Sequence, residues 1–333
     1  MERSLLTKIL VISDLHQGTS ITPPAGIRVV TQERLIENLI ARSPDAILIA
    51  GDFQDYMWNE GKSDESVSLV KKRIESDPVI STLNNADSPV YFVWGNTDIM
   101  DCEKETTETP LTDELRGWFT TEFSNFNDCH KQIHQMSDFT IIGYQDANKT
   151  DIYSSGKCWE ETAIHHELRP IIEKLSNEQK KQLIILTHTP PRGILDFSSL
   201  GSRHIGSFYL REIIDDFQPK LSVFGHVHYL GGYNKYCGRT QCINVSSFGL
   251  AVSHDILFGQ SAFEILLDSK SEDISTSMIV PHYWEDKKKH AFVEYRSCQG
   301  CGRYAPFARR QFKYCRICLG SRRIQNQEAA SKV

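Results

Sequence analysis

The chain has 333 residues, of which 40% are hydrophobic and 24% are charged, and its formal net charge is −6. This composition is typical of a globular protein with a core of ordinary size. No stretch approaches the ~20 consecutive apolar residues that a membrane-spanning helix needs, so we expect no membrane partner.

The N-terminus and the cysteines indicate the cellular compartment. Residues 1–7 are too short and too polar for a secretion signal before an apolar run begins at residue 8. Nine cysteines in a chain of this length do not indicate a disulfide scaffold, and four of them form two close pairs near the C-terminus. We therefore expect a cytoplasmic protein.

Five short apolar runs have the length of buried strands, and amphipathic stretches lie between them. The runs are 9–12, 46–50, 90–94, 183–186 and 221–224, and the helical stretches include 32–41, 66–76, 160–175 and 207–217. This alternation predicts a layered α/β domain. Two further strand pairs are predicted, a hairpin over 131–142 and a pair near 241–245 and 262–267.

Composition also divides the chain into segments. Polar residues dominate from 268 to 277, which predicts a catalytic domain over 1–268 and a linker over 269–290. Residues 291–323 form a separate small module, and the polar tail 324–333 is expected to be disordered.

Polar residues follow each of the five predicted strands, where an α/β sheet presents its binding groups. They are Asp14, His16, Asp52, Asn96, His188, His226 and His228. Oxygen and imidazole ligands without thiolate suit Mn, Fe, Zn, Ni or Co more than Ca or Mg. Two neighbouring cations would need a bridging anion, and Asp52 is the central carboxylate in chain order.

These motifs resemble those of the calcineurin-like metallophosphoesterase superfamily over about residues 7–268. That family carries D-x-H, G-D-x-x-D, G-N-H-D/E, H and G-H-x-H in this order. The resemblance implies a four-layer α-β-β-α sandwich with two mixed sheets. It also implies hydrolysis of phosphoric esters by attack of a metal-bridging hydroxide, with Asp55 orienting a ligand. The implied ligands are Asp14, His16, Asp52 and His228 for one metal, and Asp52, Asn96, His188 and His226 for the other.

The third motif departs from the family because Thr97 stands where most members have histidine. A threonine cannot act as a general acid near neutral pH. The enzyme therefore favours substrates with good leaving groups, or His204 or His254 donates the proton, or the site binds metal without turnover. The intact ligand set favours an active enzyme, with Asp52, Asn96, Asp98 and His204 as candidate catalytic residues.

The stretch from His188 to His228 looks like the branch of small prokaryotic phosphoesterases related to the cyclic-nucleotide phosphodiesterases. Ser207 is placed to cap a helix whose N-terminus suits a phosphate. Arg203 and His204 are candidates to hold substrate oxygens. For His204 a purely structural hydrogen bond is an equally good interpretation.

The C-terminal module contains two C-x-x-C pairs, Cys298 with Cys301 and Cys315 with Cys318. Two such knuckles predict one tetrahedral structural zinc in a zinc ribbon, which would be unfolded without metal. Basic residues interleave with aromatic ones in this module, which predicts nucleic-acid binding. The candidate residues are Arg303, Arg309, Arg310 and Lys313. Two alternatives remain for this basic surface. It binds a protein partner, or it docks onto the rest of the chain, which is acidic because the whole chain has a net charge of −6.

Three functions remain open from the sequence. The leading hypothesis is a dinuclear phosphodiesterase that acts on nucleic acid or nucleotides, with the ribbon supplying affinity. The alternatives are a small-molecule phosphatase whose ribbon mediates assembly, and a non-catalytic metallophosphoesterase fold that serves as a protein scaffold.

Overall fold

The computed structural model describes residues 6–16, 28–29, 32–53, 67–99, 110–145, 161–198, 203–246, 251–253, 256–258, 262–271, 274–279, 284–285, 294–297 and 304–307. Strands β1 to β20 are Thr7–Ile12, Arg28–Val29, Ala46–Ala50, Val90–Val93, Phe126–Asp128, His134–Met136, Phe139–Tyr144, Leu183–Thr187, Phe197–Ser198, Arg203–His204, Leu221–Phe224, Tyr233–Cys237, Thr240–Asn244, Ala251–Ser253, Ile256–Phe258, Ala262–Leu267, Ile274–Ile279, Trp284–Glu285, Glu294–Ser297 and Tyr304–Phe307. Helices α1 to α8 are Gln32–Ile40, Val67–Glu75, Pro78–Asn84, Asn96–Ile99, Pro110–Glu122, Glu161–Glu173, Asn177–Lys181 and Phe208–Phe217, and a 3₁₀ helix covers His228–Leu230.

Two six-stranded mixed sheets form the centre of the described molecule. The first has the order β17-β16-β1-β3-β4-β5, in which β1, β3, β4 and β5 are parallel and β16 is antiparallel to both its neighbours. The second has the order β12-β13-β11-β8-β7-β6, in which only the outer strands β12 and β6 are antiparallel. All five apolar runs are confirmed as strands, and each lies inside its sheet.

The strands are apolar throughout because both faces of each sheet are covered. In β3, Ala46, Leu48 and Ala50 face the second sheet, while Ile47 and Ile49 face the helices. The core between the sheets also contains Val11, Val93, Ile141, Leu186 and Val223. Successive side chains of such a strand point to opposite faces, and both faces are apolar here. The sequence of the strand therefore lacks the alternation of polar and apolar residues.

Helices cover the outer face of each sheet. Residues of α1, α3 and α5, such as Ile36, Leu83 and Phe119, pack on the first sheet. Residues of α6 and α8, such as Leu168 and Ile213, pack on the second. The four-layer α-β-β-α arrangement is therefore confirmed.

Two expectations about the later strands need correction or extension. The segments 241–245 and 262–267 do not pair, because β13 lies in the second sheet and β16 in the first. Strand β17 falls inside the expected linker 269–290, yet it pairs with β16 along its whole length. Ser275 and Ser277 of this edge strand are exposed, which explains its polar composition.

Little of the expected C-terminal module belongs to the described residues. Strands β19 and β20 pair antiparallel, with Ser297 opposite Tyr304. The four cysteines, the basic residues proposed for nucleic-acid binding, Asp55 and His254 lie outside the described residues, and so does the tail 324–333. The zinc ribbon therefore stays a prediction. In the described ranges, no helix combines the length and apolar character that a bilayer-spanning helix requires.

Candidate metal centre

The candidate ligands follow the carboxyl ends of strands from both sheets. Backbone hydrogen bonds join the loops after β1 and β3, from Asp14 N to Gly51 O at 2.9 Å and from His16 N to Asp52 O at 3.0 Å. In the second sheet, Gly225 N donates to His188 O at 3.1 Å. Each sheet thus presents its ligands on loops that are fixed to one another.

Four of these residues adopt a backbone conformation that L-amino acids rarely use. The φ angles of Asp14, His16, Asp52 and His226 are 54°, 45°, 54° and 70°. Such left-handed conformations are costly for non-glycine residues and cluster at functional sites. The backbone is therefore locally strained at the positions whose side chains converge on one another.

Glycine is required at two places where backbone passes close to these side chains. A Cβ atom at Gly95 would collide with the carboxylate and the backbone nitrogen of Asp52. A Cβ atom at Gly225 would lie 2.5 Å from Asp14 Oδ2 and would also overlap Ser13. Any side chain at either position would displace Asp52 or Asp14, and glycine alone avoids that collision.

The first group of converging atoms comes from Asp14, His16, Asp52 and His228, whose ligand atoms all lie within 4.8 Å of one another. His228 Nε2 is 2.9 Å from Asp14 Oδ1. His16 Nε2 is 3.0 Å from His228 Nε2 and 3.7 Å from Asp52 Oδ2. The backbone N–H of His226 donates to Asp14, at 3.1 Å from Oδ1, and so orients its carboxylate.

The second group comes from Asp52, His188 and His226, again within 4.8 Å. His188 Nε2 lies 3.3 Å from Asp52 Oδ2, 3.1 Å from His226 Nδ1 and 2.9 Å from Asn96 Oδ1. Asn96 therefore joins this group through its amide oxygen. Asp52 belongs to both groups, and this grouping agrees with the one that the family resemblance implies, while metal binding by these residues stays a prediction.

The donor set fits divalent cations. His188 Nδ1 is 2.7 Å from Ala50 O, and a hydrogen bond to that carbonyl leaves Nε2 with its lone pair directed at the oxygens of Asn96 and Asp52. Two imidazole nitrogens, on His16 and His228, also face each other at 3.0 Å. Atoms that converge in this way need either a proton or a metal ion between them, and neutral imidazole nitrogens with carboxylate and amide oxygens are a donor set for divalent transition metals.

The electrostatics of the apoprotein agree with this geometry. Burial lowers the pKa of His188, but the carboxylates of Asp52 and Asp14 raise it by more, to about 10. Burial raises the pKa of Asp14, but His228 and His188 lower it by more, to about 2. The pKa of Asp52 likewise lies well below its usual value, because His188, His16 and His226 outweigh its burial. The centre therefore holds anionic carboxylates that attract cations.

The remaining predicted residues lie around these groups. Asp98 Oδ2 accepts a hydrogen bond from Gly95 N at 2.8 Å, which braces the turn that presents Asn96. Ser207 caps α8 as expected, since its hydroxyl accepts from Leu210 N at 2.9 Å, and it is fully buried. Arg203 and His204 lie in β10. Substrate contacts by these residues stay predictions.

Asp196 is a polar residue that the sequence reasoning missed. It is 1% exposed, and its Oδ1 is 2.7 Å from His204 Nδ1. The only signal in the sequence was an acid eight residues before His204, which carries little information by itself.

Comparisons with known proteins are consistent with this site. The profile of the family described as calcineurin-like phosphoesterase matches residues 7–230. One solved structure has 17% identity and a TM-score of 0.53, covering 82% of this chain and 99% of its own. No curated protein matches the chain.

Two other solved structures with described functions are more distant. A dimetal phosphatase from Danio rerio is 11% identical with a TM-score of 0.45, covering 83% of this chain and 99% of its own. A purple acid phosphatase from yellow lupin is 11% identical with a TM-score of 0.47, covering 84% of this chain and 54% of its own. The chain thus spans about half the length of the lupin enzyme.

Proposed function

Because the chain belongs to the calcineurin-like phosphoesterase family, it is a metal-dependent phosphoesterase, and we propose that it hydrolyses phosphodiester bonds in nucleotides or nucleic acid. The observation that carries the proposal is the position of Asp52, whose carboxylate belongs to both groups of converging side chains. A shared carboxylate is what two closely spaced cations need, and such a pair suits in-line displacement at phosphorus.

The residues of the chain have separable tasks in this reaction. Asp14, His16 and His228 would hold one cation, Asn96, His188 and His226 would hold the other, and the Asp52 carboxylate would be available to both. Bound cations supply Lewis-acid activation of water and neutralise charge on the phosphoryl oxygens. The Ala50 carbonyl keeps His188 in the tautomer that presents Nε2 to the centre. Mn, Fe, Zn, Ni or Co is proposed as the cation because the ligands are imidazoles and oxygens.

The identity of residue 97 supports a substrate that does not depend on an acid from the third motif, such as a diester with a good leaving group. A threonine at this position cannot protonate a leaving oxygen, so the third motif offers no general acid of its own. The basic and aromatic residues near the C-terminus, with their proposed structural zinc, support nucleic acid as the substrate class. The cytoplasm is proposed as the location.

A substrate panel with defined metals tests this proposal. We expect turnover of bis(4-nitrophenyl) phosphate and of single-stranded oligonucleotides to exceed that of 4-nitrophenyl phosphate. Deletion of residues 291–333 should weaken oligonucleotide cleavage and spare the small diester. A preference for monoesters, undiminished by the deletion, would contradict the diesterase assignment and favour a small-molecule phosphatase. Two bound metals with no turnover of any ester would contradict catalysis and favour a scaffold.

A further inference from the structure

In the chain, the hairpin β9–β10 lies between the candidate ligand His188 and helix α8. Backbone hydrogen bonds join the residues that precede β9 to those that follow β10. Ile205 N donates to Asp196 O at 3.0 Å. Below that pair, Ser207 N donates to Pro190 O at 2.9 Å and Arg192 N to Ser207 O at 2.8 Å. The hairpin is therefore fixed to the loop that carries His188.

The same hairpin packs against the turn that carries two other ligands. Leu195 and Ile205 belong to one apolar cluster with Leu230 and Val227, and Val227 lies between His226 and His228 in the chain. Asn244 Nδ2 donates to Leu195 O and to Val227 O, both at 3.4 Å. These contacts attach the base of the hairpin to the loops that carry His188, His226 and His228.

His204 is exposed but is held in one orientation. Its side chain is 49% exposed, while the partner Asp196 is 1% exposed. Nδ1 lies 2.7 Å from Asp196 Oδ1, and the ring packs edge-on against Phe197 with centroids 5.4 Å apart. Because Nδ1 is directed at the carboxylate, Nε2 is the ring nitrogen available to a substrate.

Asp196 is itself fixed by the backbone. Its second oxygen accepts from Gly206 N at 3.1 Å, so both carboxylate oxygens have partners. Burying a carboxylate is costly unless such partners compensate it. By contrast, His165 Nδ1 lies 3.9 Å from Glu212 Oε2, beyond hydrogen-bonding distance, and Glu212 is exposed, so that carboxylate does not fix the ring. A buried carboxylate that orients an exposed imidazole is the arrangement used to position a proton donor.

We propose that Asp196 is a positioning residue for His204, and that His204 Nε2 protonates the leaving oxygen in place of the histidine that Thr97 replaces. This inference rests on the proposed phosphodiesterase function. Water adds to phosphorus, the bond from phosphorus to the leaving oxygen breaks, and that oxygen takes the Nε2 proton of the doubly protonated His204 ring, which is left neutral with its proton on Nδ1. His204 recovers a proton from solvent, which accepts the proton released by the attacking water. Asp196 stays ionised and keeps the imidazole in the required tautomer.

Two thymidine 5′-aryl phosphates that differ only in the leaving group test this role in the full-length holoenzyme. A 4-nitrophenolate leaves without protonation, whereas a phenolate is more basic and needs an acid. We expect H204A to lower kcat for the phenyl ester by ~10²–10⁴-fold and for the nitrophenyl ester by less than tenfold. D196N should lower kcat for the phenyl ester at least tenfold with little change in KM, and the double variant should lose no more than H204A.

H165A is the matched control and should behave as the wild type with both esters. Equal losses on the two esters, or no loss on the phenyl ester, would overturn the role of the dyad. Wild-type protein that turns over neither ester would instead refute the proposed function.

A second readout does not depend on activity. In long-range ¹H–¹⁵N NMR spectra of the metal-free protein, the neutral form of His204 should carry its proton on Nδ1, and D196N should move that proton to Nε2. Unchanged His204 nitrogen shifts in a folded D196N protein would overturn the positioning role of Asp196.

Discussion

Replacement of Gly95 by alanine should disturb the metal centre more than the protein as a whole. The added Cβ would collide with the backbone nitrogen of Asp52 and with its carboxylate, and would lie 2.8 Å from its Cγ. Backbone cannot yield as a flexible side chain can, so overpacking of this kind costs about 1–3 kcal/mol. Because Asp52 is the carboxylate shared by both ligand groups, we expect metal affinity to fall by about 10–100-fold.

Gly117 offers a matched control. It lies in α5, and a Cβ there would meet no atom within 4 Å. Gly117→Ala should therefore stabilise the protein by about 0.5–1 kcal/mol through helix propensity and should leave metal affinity unchanged. Isothermal titration with Mn²⁺ and urea unfolding of both variants measure the two effects. If Gly95→Ala binds Mn²⁺ as tightly as Gly117→Ala, the close approach at Gly95 has no functional consequence and the reasoning fails.

Two other perturbations address the charge and the packing of the domain. In the apoprotein the carboxylates of Asp52 and Asp14 outweigh the burial of His188 and raise its pKa from 6.5 to about 10. The charged form of His188 therefore stabilises the folded state fully below pH 6.5, and this contribution to the free energy of unfolding is lost as the pH rises toward 10. Urea unfolding in EDTA should show this decline, and His188→Gln should flatten it; an equal slope in the variant would contradict the assignment. Phe119 is 1% exposed and packs against Phe53, Phe92 and Trp94, so Phe119→Ala should cost about 3–5 kcal/mol. Its metal content below the melting temperature should equal that of the wild type, and metal loss from the folded variant would show that the outer core also sets the ligand geometry.

The sequence predicted the part of the fold that local patterns determine. Runs such as 46–50 and 221–224 are apolar because both faces of their strands are buried, and the structure places strands at those residues. The ligand motifs could also be identified from the sequence, because each comes directly after an apolar strand. The order of the motifs and their positions at the ends of strands can both be determined from the linear sequence.

The missed features depend on neighbours that are distant in the chain. Strand β17 is an edge strand with a solvent-exposed face, so its serines resembled a linker. One of the two partners of β16 is β1, more than two hundred residues earlier, and nothing local indicates that pairing. Helix α3 was overlooked although Asp77 caps it and Pro78 begins it, which was a readable signal. The role of Asp196 could not be predicted because it depends on the hairpin, which brings its carboxylate next to His204.

Anomalous diffraction from crystals grown with Mn²⁺ tests the central claim most directly. The account predicts two anomalous peaks about 3.5–4 Å apart, with the Asp52 carboxylate in contact with both. A single peak, or two peaks of which only one contacts Asp52, would contradict the dinuclear centre.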